Sequence, residues 1–586
     1  MKTKLVNRNI RNDYIKELLK ERGIKEEDIK YFLTEPSIEC LEPPTNFTNI
    51  EEGFKLFKEI LALKENQRIL LVVDSDVDGF TSSAIMYLYL KKVKPDLSIG
   101  YILHEGKGHG LSDLMETILE EESTNEKELK YVILPDSSSN DYEYHERLAA
   151  LGIKSLILDH HIVEDDTLFS SSAVIINNQL SENYINKDLS GAGVAWQFCR
   201  YCDSQMGTTY ADNLIDLAAL GIVSDMMSVL SLENRYIIYT GLSQINNYFF
   251  QALCEKQSFS MGGKINPTTI AFYITPLINA LIRVGTMDEK RRCFEAFIDG
   301  HQMVPSQKRG AKGTYEEVAI ESARECTNAR AKQNRILDKA VEELEIKIFK
   351  YDLLENKVLF IRLDDEDFPS ELNGLTAMKL AAKYKRPTIV ARLNDEGYDR
   401  GSSRGLNESA LTSFKDFMDK SGFFEYTAGH DNACGISILD KNLHEFHEYA
   451  NKVLDGIDFG ENWYEVNFER FAADLDLIWL IEDIANNEDI FGQHNNEPLI
   501  HITDINLNKN DIAVIGKNAD TVRIEKFGVT YLKFHAKDMI QELAELPTNT
   551  IKLEVVGRAN LNHYAGRTTP QIFITDYQID DGRLGF

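Results

Sequence analysis

One segment limits this chain more than any other. The apolar run Ile69-Leu70-Leu71-Val72-Val73 ends in Asp74-Ser75-Asp76-Val77-Asp78-Gly79. Such a run fits a buried strand, and its C-terminal end presents acids where open α/β sheets bind ligands. Gly79 can supply a tight turn, and Thr81 to Leu90 reads as a helix. If extended geometry persists that far, Asp76 and Asp78 share one strand face. Carboxylates converging there need a compensating charge, and a divalent metal is the usual one.

The pattern recurs. Tyr131-Val132-Ile133-Leu134 leads to Asp136, and Ser155-Leu156-Ile157-Leu158 leads to Asp159-His160-His161. Leu217-Ala218-Ala219-Leu220-Gly221-Ile222-Val223, compatible with helix or strand, leads to Ser224-Asp225. In a parallel sheet the strand ends lie on one edge, so that edge gathers acids and histidines. Mixed His and Asp ligands suit manganese or zinc better than calcium, which prefers all-oxygen shells.

A chain of 586 residues is too long for one core, and about three or four domains are expected. No apolar run reaches the length of a membrane span. The start, MKTKLVNRNIRNDY, is basic without a following apolar region, so it does not read as a secretory signal. Seven scattered cysteines read as free thiols in a reducing cytoplasm. Cys199-x-x-Cys202 lies in a helical pattern with no second pair and reads as structural. A net charge of −30 argues against a generic DNA-coating protein, because long-range attraction to a polyanion is absent. An acid-rich metal site can still coexist with a local basic groove.

Residues 1–50 read as a helical leader punctuated by Pro36, Pro43 and Pro44. A mostly parallel α/β domain follows over 51–314, with helices near 81–92, 111–122 and 141–150. Tyr315 to Ile348 has no Gly or Pro and reads as one long linking helix over 315–348. A smaller α/β domain occupies 349–457, with strands at Lys357–Arg362, Pro387–Arg392 and Gly435–Leu439 and a helix at Leu375–Lys383. Close-spaced short strands fill 458–586 and suggest a small β-barrel. Its Arg523, Lys526, Phe527, Tyr531, Lys533, Phe534, Arg558, Tyr564 and Arg567 mix basic and aromatic types, the composition of a single-strand stacking surface.

DSDVDG, the lone Asp136 after a strand, DHH and ALGIVSD together resemble the DHH phosphoesterase superfamily. Further segments narrow the resemblance to the RecJ-like single-strand exonucleases. These are Leu189-Ser190-Gly191-Ala192-Gly193-Val194-Ala195, Glu233-Asn234-Arg235 with Gly241-Leu242, and Pro276 to Ala280 with Arg283. Arg386-Pro387, Gly401-Ser402-Ser403-Arg404 and Gly429-His430 with Ala433 and Gly435 extend it into the second domain. The match runs in order from about residue 65 to the C-terminus. Departures occur at Asp136-Ser137-Ser138-Ser139, where Asn-Gly often follows the acid, and at His104, which takes the place of an arginine upstream of Gly108-His109-Gly110-Leu111. Ser403 replaces a common Gly, and Gly429 lacks its preceding Gly.

The resemblance implies a metal-dependent exonuclease on single-stranded DNA, working 5′→3′ and releasing mononucleotides with two Mn2+ or Mg2+ ions. It implies Asp76, Asp78, His160 and Asp225 as metal ligands, Asp136 as the bridging acid and Asp74 as a further ligand. Asp159 would orient the histidines or join the outer shell, and His161 would face the substrate, making Asp136, Asp159, His160 and His161 the catalytic set. Arg283, Ser402, Arg404 and His430 would contact substrate, the first three at a 5′ end. The C-terminal barrel would be an OB-fold. The expected setting is a cytoplasmic monomer acting on single-stranded DNA, with single-strand-binding or replication and repair proteins as partners and no membrane. Two rivals share the motifs: a DHH phosphodiesterase for short oligonucleotides or cyclic dinucleotides, and a non-catalytic nucleic-acid-binding scaffold.

Overall fold

The structure is a computed structural model describing residues 1–586 except 7–9, 107, 164–169, 312, 366–367, 565 and 581–586. The chain divides into two compact units, one of residues 27–334 with 489–496, the other of residues 1–26, 335–488 and 497–586.

The first unit is built on five strands, β1 (Gln67–Val73), β2 (Ile99–Leu103), β3 (Glu128–Pro135), β4 (Lys154–Asp159) and β5 (Ala173–Asn177). All pair in parallel, in the order β2-β1-β3-β4-β5. β1 is buried from Arg68 to Val73, which is why it reads as a continuous apolar run rather than an alternating one. Helices α1 (Val77–Val93), α2 (Met115–Thr124) and α3 (Tyr142–Ala150) connect the first four strands. Leu70, Val72, Val132, Leu134 and Ile157 pack on Leu114, Met115, Ile118 and Leu148 in one core. Beyond the sheet come α4 (Gly191–Met206), α5 (Ile215–Ser224), α6 (Leu232–Ser243), α7 (Thr275–Val284) and α8 (Met287–Ile298).

Several expectations change. The extended backbone stops at Val73, so Asp76 and Asp78 do not share a strand face: Asp76 caps α1, accepting from Gly79 N at 2.9 Å, and Asp78 lies in its first turn. The Asx cap offers the backbone a better partner than a lone strand end does. Residues 217–223 are helical, within α5. The long run begins with a short strand, Tyr315–Glu317, before helix α9 (Val318–Lys350). Pro267–Val284 is long and apolar enough to cross a membrane by length and composition, contrary to expectation, but 56% of it is buried, as in a core helix. All seven cysteines are free and buried.

In the second unit, β6 (Leu359–Arg362), α10 (Asn373–Tyr384), β7 (Thr388–Leu393), β8 (Tyr398–Arg404), β9 (Phe424–His430) and β10 (Ala433–Leu439) form a mixed sheet ordered β9-β10-β8-β7-β6. Gly401-Ser402-Ser403-Arg404 is the end of β8, paired on both sides. A seven-stranded sheet follows, made of β11 (Phe468–Phe471), β12 (Leu499–Asn508), β13 (Ile512–Ile515), β14 (Thr521–Lys526), β15 (Val529–Lys533), β16 (Thr550–Tyr564) and β17 (Arg567–Asp580), ordered β11-β12-β16-β17-β15-β14-β13. Residues 1–50 are not one helical leader: Lys2–Leu5 is a strand paired in parallel with Trp463–Val466, and residues 27–50 belong to the first unit.

Candidate metal centre

Each strand of the first unit's centre delivers its acid differently. Asp74 follows β1 directly. Asp136 follows β3 with a left-handed backbone (φ 65°), as does Ser138 (φ 77°). Non-glycine residues rarely adopt this conformation, and it clusters at functional sites. Asp159 closes β4, with His160 and His161 just beyond, and Asp225 sits at the C-terminal end of α5.

These residues converge. Ligand-capable atoms of Asp74, Asp76 and Asp136 lie within 4.8 Å of one another; so do those of Asp136, His160 and His161, and those of Asp78, His160 and Asp225. Asp136 and His160 each belong to two groups. His160 Nε2 is 3.1 Å from Asp136 Oδ1 and 3.4 Å from Asp225 Oδ2. Asp136 Oδ1 and His160 Nε2 are buried and have no hydrogen-bond partner among the described residues.

The electrostatics point the same way. Burial and neighbouring carboxylates push Asp136 well above the usual carboxylate range. Burial and the charge of Asp76 push Asp78 up to about 6, while burial with Asp78 and Asp76 pushes Asp225 up to about 9. Asp76 is likewise raised, by burial and Asp74. Burial and the charge of His161 push His160 down to about 4, leaving the neutral imidazole a metal requires. Crowded acids beside a neutral histidine, with unpartnered donor atoms at their centre, fit divalent cations.

The surrounding groups hold the acids in place. Ser190 Oγ (2.9 Å), Gly191 N (2.7 Å) and Ala192 N (3.1 Å), at the N-terminus of α4, donate to Asp78, a helix end suited to negative charge. A Cβ on Gly191 would sit 2.5 Å from Asp136 Oδ1, and one on Gly221 would sit 2.2 Å from Asp78 Oδ1. Asp159 spends its oxygens on Ser139 N, His160 N, His161 N and His161 Nδ1, at 2.7–3.2 Å. Against burial, His161 and His160 keep its carboxyl far below the usual range. It thus orients the histidine pair. His161 is 42% exposed, and its Nδ1 is engaged by Asp159.

The geometry adds a residue that the sequence reading quoted but gave no role. His109 Nδ1 lies 3.0 Å from Asp74 Oδ2, Gly110 N donates to Asp74 Oδ1 at 3.2 Å, and the His109 ring meets that of His161 edge-on at 4.6 Å. Burial opposes its charged form, but Asp74 outweighs it and raises His109 to about 9. His104 is buried with both ring nitrogens unpartnered among the described residues, Nε2 being 3.8 Å from Asp74 Oδ1. A glycine-histidine alternation gives no periodic signal for either contact.

The remaining candidates belong to none of these groups. Arg283 is half-buried in the last turn of α7. In the second unit, half-buried Arg404 donates Nη1 to Ser403 O at 2.7 Å, Ser402 is half-buried opposite Gly435 and Val390, and His430 is exposed at the end of β9. In the seven-stranded sheet and the turns that flank its strands, Phe527, Phe534 and Tyr564 are exposed (55%, 50% and 78%), with Arg523, Arg558 and Arg567 also exposed and Lys526 and Lys533 half-buried. Tyr531 is fully buried and belongs to the core, not to a stacking surface.

The model of the DHH family, N-terminal domain, matches residues 68–222, and that of the RecJ OB domain matches residues 474–576. Over 586 residues the chain is 34% identical to YorK, an SPbeta prophage-derived protein of Bacillus subtilis (strain 168) whose name assigns it single-strand DNA-specific exonuclease activity; the match spans 99% of this chain and 98% of YorK. It is 24% identical to the single-stranded-DNA-specific exonuclease RecJ of the same organism, over 97% of this chain and 68% of that one. The crystal structure of RecJ from Thermus thermophilus in complex with Mn2+ shares the fold, with a TM-score of 0.70 and 17% identity over 98% of this chain and 79% of that one. The full-length relative and the two domain models place the chain in a family: it belongs to the RecJ-like single-strand-DNA-specific exonucleases of the DHH phosphoesterase superfamily.

Proposed function

We propose that this chain hydrolyses phosphodiester bonds of single-stranded DNA from the 5′ end, releasing mononucleotides, with two divalent ions, Mn2+ or Mg2+. One observation carries the reading: Asp136 Oδ1 and His160 Nε2 are buried, close together and unpartnered amid raised carboxylates. Asp74, Asp76 and Asp136 would hold one ion, and Asp78, His160 and Asp225 the other, with Asp136 bridging. When bound, such ions neutralise phosphate charge and make water a nucleophile at neutral pH.

The protein's own residues do the rest. Asp159 fixes His161 by its Nδ1, and the half-exposed ring would offer its other nitrogen to a phosphate oxygen of the substrate. Asp78 is anchored by Ser190 Oγ, Gly191 N and Ala192 N at the α4 N-terminus, which fixes its carboxylate beside the other acids. Arg283, Ser402, Arg404 and His430 would contact the strand, and the exposed Phe527, Phe534 and Tyr564 would stack bases further along it.

The test uses a long single strand labelled at either end, incubated with Mn2+ or EDTA. Early release of labelled mononucleotide from the 5′ label, only with Mn2+, is expected. Release from the 3′ label first, or cleavage of dinucleotides alone, would overturn it.

A further inference from the structure

We propose that Asn234 is a positioning residue that sets the distance between Asp78 and Asp225. Asn234 lies near the start of α6 and is fully buried. Its Nδ2 donates to Asp188 O at 2.7 Å and to Ser228 O at 2.9 Å, and its Oδ1 accepts from Asn186 Nδ2 at 3.0 Å. Three of the amide's four hydrogen-bonding positions are therefore used, all on backbone or side chains of two loops.

Those loops carry the second metal group. Asp188 stands two residues before Ser190, and Ser190, Gly191 and Ala192 are the donors that grip Asp78. Ser228 stands three residues after Asp225, beyond Met226, which adopts a left-handed backbone (φ 58°). One amide thus ties the segment that holds Asp78 to the turn that follows Asp225. Asp78, His160 and Asp225 form one ligand group, while Asp74, Asp76 and Asp136 form another that Asn234 does not touch. A carbonyl released by Asn234 lets one side of the first group drift relative to the other. Neighbouring Glu233 stabilises the same loop differently, accepting from Tyr184 Oη and Asn186 Nδ2.

The inference rests on the metal reading above, and the experiment separates the two. Metal-free full-length wild type, Asn234→Ser and Asn234→Asp are titrated with Mn2+ by calorimetry, with melting temperature measured on the metal-free proteins. A serine hydroxyl can reach only one carbonyl, and an aspartate carboxylate faces both with no donor. Wild type should show two binding events. In Asn234→Ser one event should weaken about tenfold to hundredfold, the range for outer-shell changes, while the other keeps its affinity. Saturating Mn2+ should restore kcat with KM for the strand unchanged. Asn234→Asp should weaken the same event further; if it does not fold, Asn234→Ser decides alone. Two events at wild-type affinity in folded Asn234→Ser, whatever its melting temperature, or equal weakening of both, would overturn the inference. No Mn2+ uptake by wild type would instead overturn the metal reading beneath it.

Discussion

His160 Nε2 and Asp136 Oδ1 face each other at 3.1 Å, both buried and neither hydrogen-bonded to another described residue. A pair of unsatisfied atoms in a protein interior costs free energy unless something bridges them. The centre is in this sense built for a state with cations present, and its stability and chemistry should respond together.

Replacing Asp136 tests that link. Asp136→Asn removes a charge from the crowd, so the metal-free protein should melt at or above the wild-type temperature. Saturating a site a hundredfold above its Kd adds about 2.7 kcal/mol of stability, and the variant should lose most of this Mn2+-induced shift. Turnover should fall by more than about a hundredfold, since even outer-shell changes cost tenfold to a hundredfold. Melting curves with and without Mn2+, beside a nuclease assay, give both readings.

His109 should matter without touching DNA chemistry directly. His109→Ala leaves Asp74 without its 3.0 Å ring partner. The Mn2+ concentration for half-maximal activity should rise about tenfold or more, while KM for the strand stays put. Activity measured across an Mn2+ series at saturating DNA checks this.

Exposure divides the aromatics of the seven-stranded sheet. Phe534→Ala and Tyr564→Ala should each weaken long-strand binding by about 1–3 kcal/mol, the usual worth of one stacked base. Tyr531→Ala empties a fully buried position and should cost about 3–5 kcal/mol of stability, as large aromatic truncations do. Its folded fraction should still bind the strand. Fluorescence anisotropy and chemical denaturation on the same three variants separate the two roles.

Arg404→Ala should slow cutting of 5′-phosphorylated strands by about tenfold to a hundredfold, since a charged hydrogen bond contributes about 1.5–3 kcal/mol. Strands with a 5′-hydroxyl should be affected much less. Equal loss on both substrates would assign the arginine to the sheet, where it already donates to Ser403 O.

A pH prediction concerns Asp216, which is fully buried and accepts from Asn246 N and Asn247 N at 2.8 and 2.7 Å. Burial pushes its carboxyl up to about 6 in the folded chain. The folded state then holds the proton more tightly than the unfolded one, so wild type loses stability as pH rises from about 4 to about 6 and no more above that. Asp216→Asn keeps the acceptor and avoids the charge. It should exceed wild type by about 3 kcal/mol at pH 8, with the gap closing toward pH 4. Urea denaturation at the two pH values checks it.

Much of this centre was legible because buried parallel strands write themselves as unbroken apolar runs. Asp74, Asp136 and Asp159 stand where β1, β3 and β4 run out, and that follows from the runs alone. Asp76 and Asp78 stand out in the sequence, but whether the strand reaches them does not, because a side-chain cap competes with strand extension over three residues and periodicity cannot see it. The seven-residue run ending at Val223 was undecidable by pattern and became α5. Gly401 to Arg404 carries turn-like residue types, yet pairing with β7 and β10 makes it strand; tertiary hydrogen bonds overrode local composition. Tyr531 and Tyr564 look alike in sequence, but one sits mid-strand in the core and the other at the exposed end of the β16–β17 hairpin. His109 acts through Asp74, 35 residues away, and Asn234 joins Ser228, 6 residues away, to Asp188, 46 away, so no local pattern marks either contact.

Gly191 and Gly221 offer no side chain for proton transfer, phosphate binding or ligation, yet each presses its bare backbone against an acid of the candidate centre. The fragility of this nuclease under random mutation therefore reaches into residues with no chemistry of their own. A screen for inactive clones should return alanine at these two positions alongside the acids themselves. Adding a single methyl group, rather than deleting a carboxylate, then becomes a route to a silent enzyme that keeps its full complement of charges.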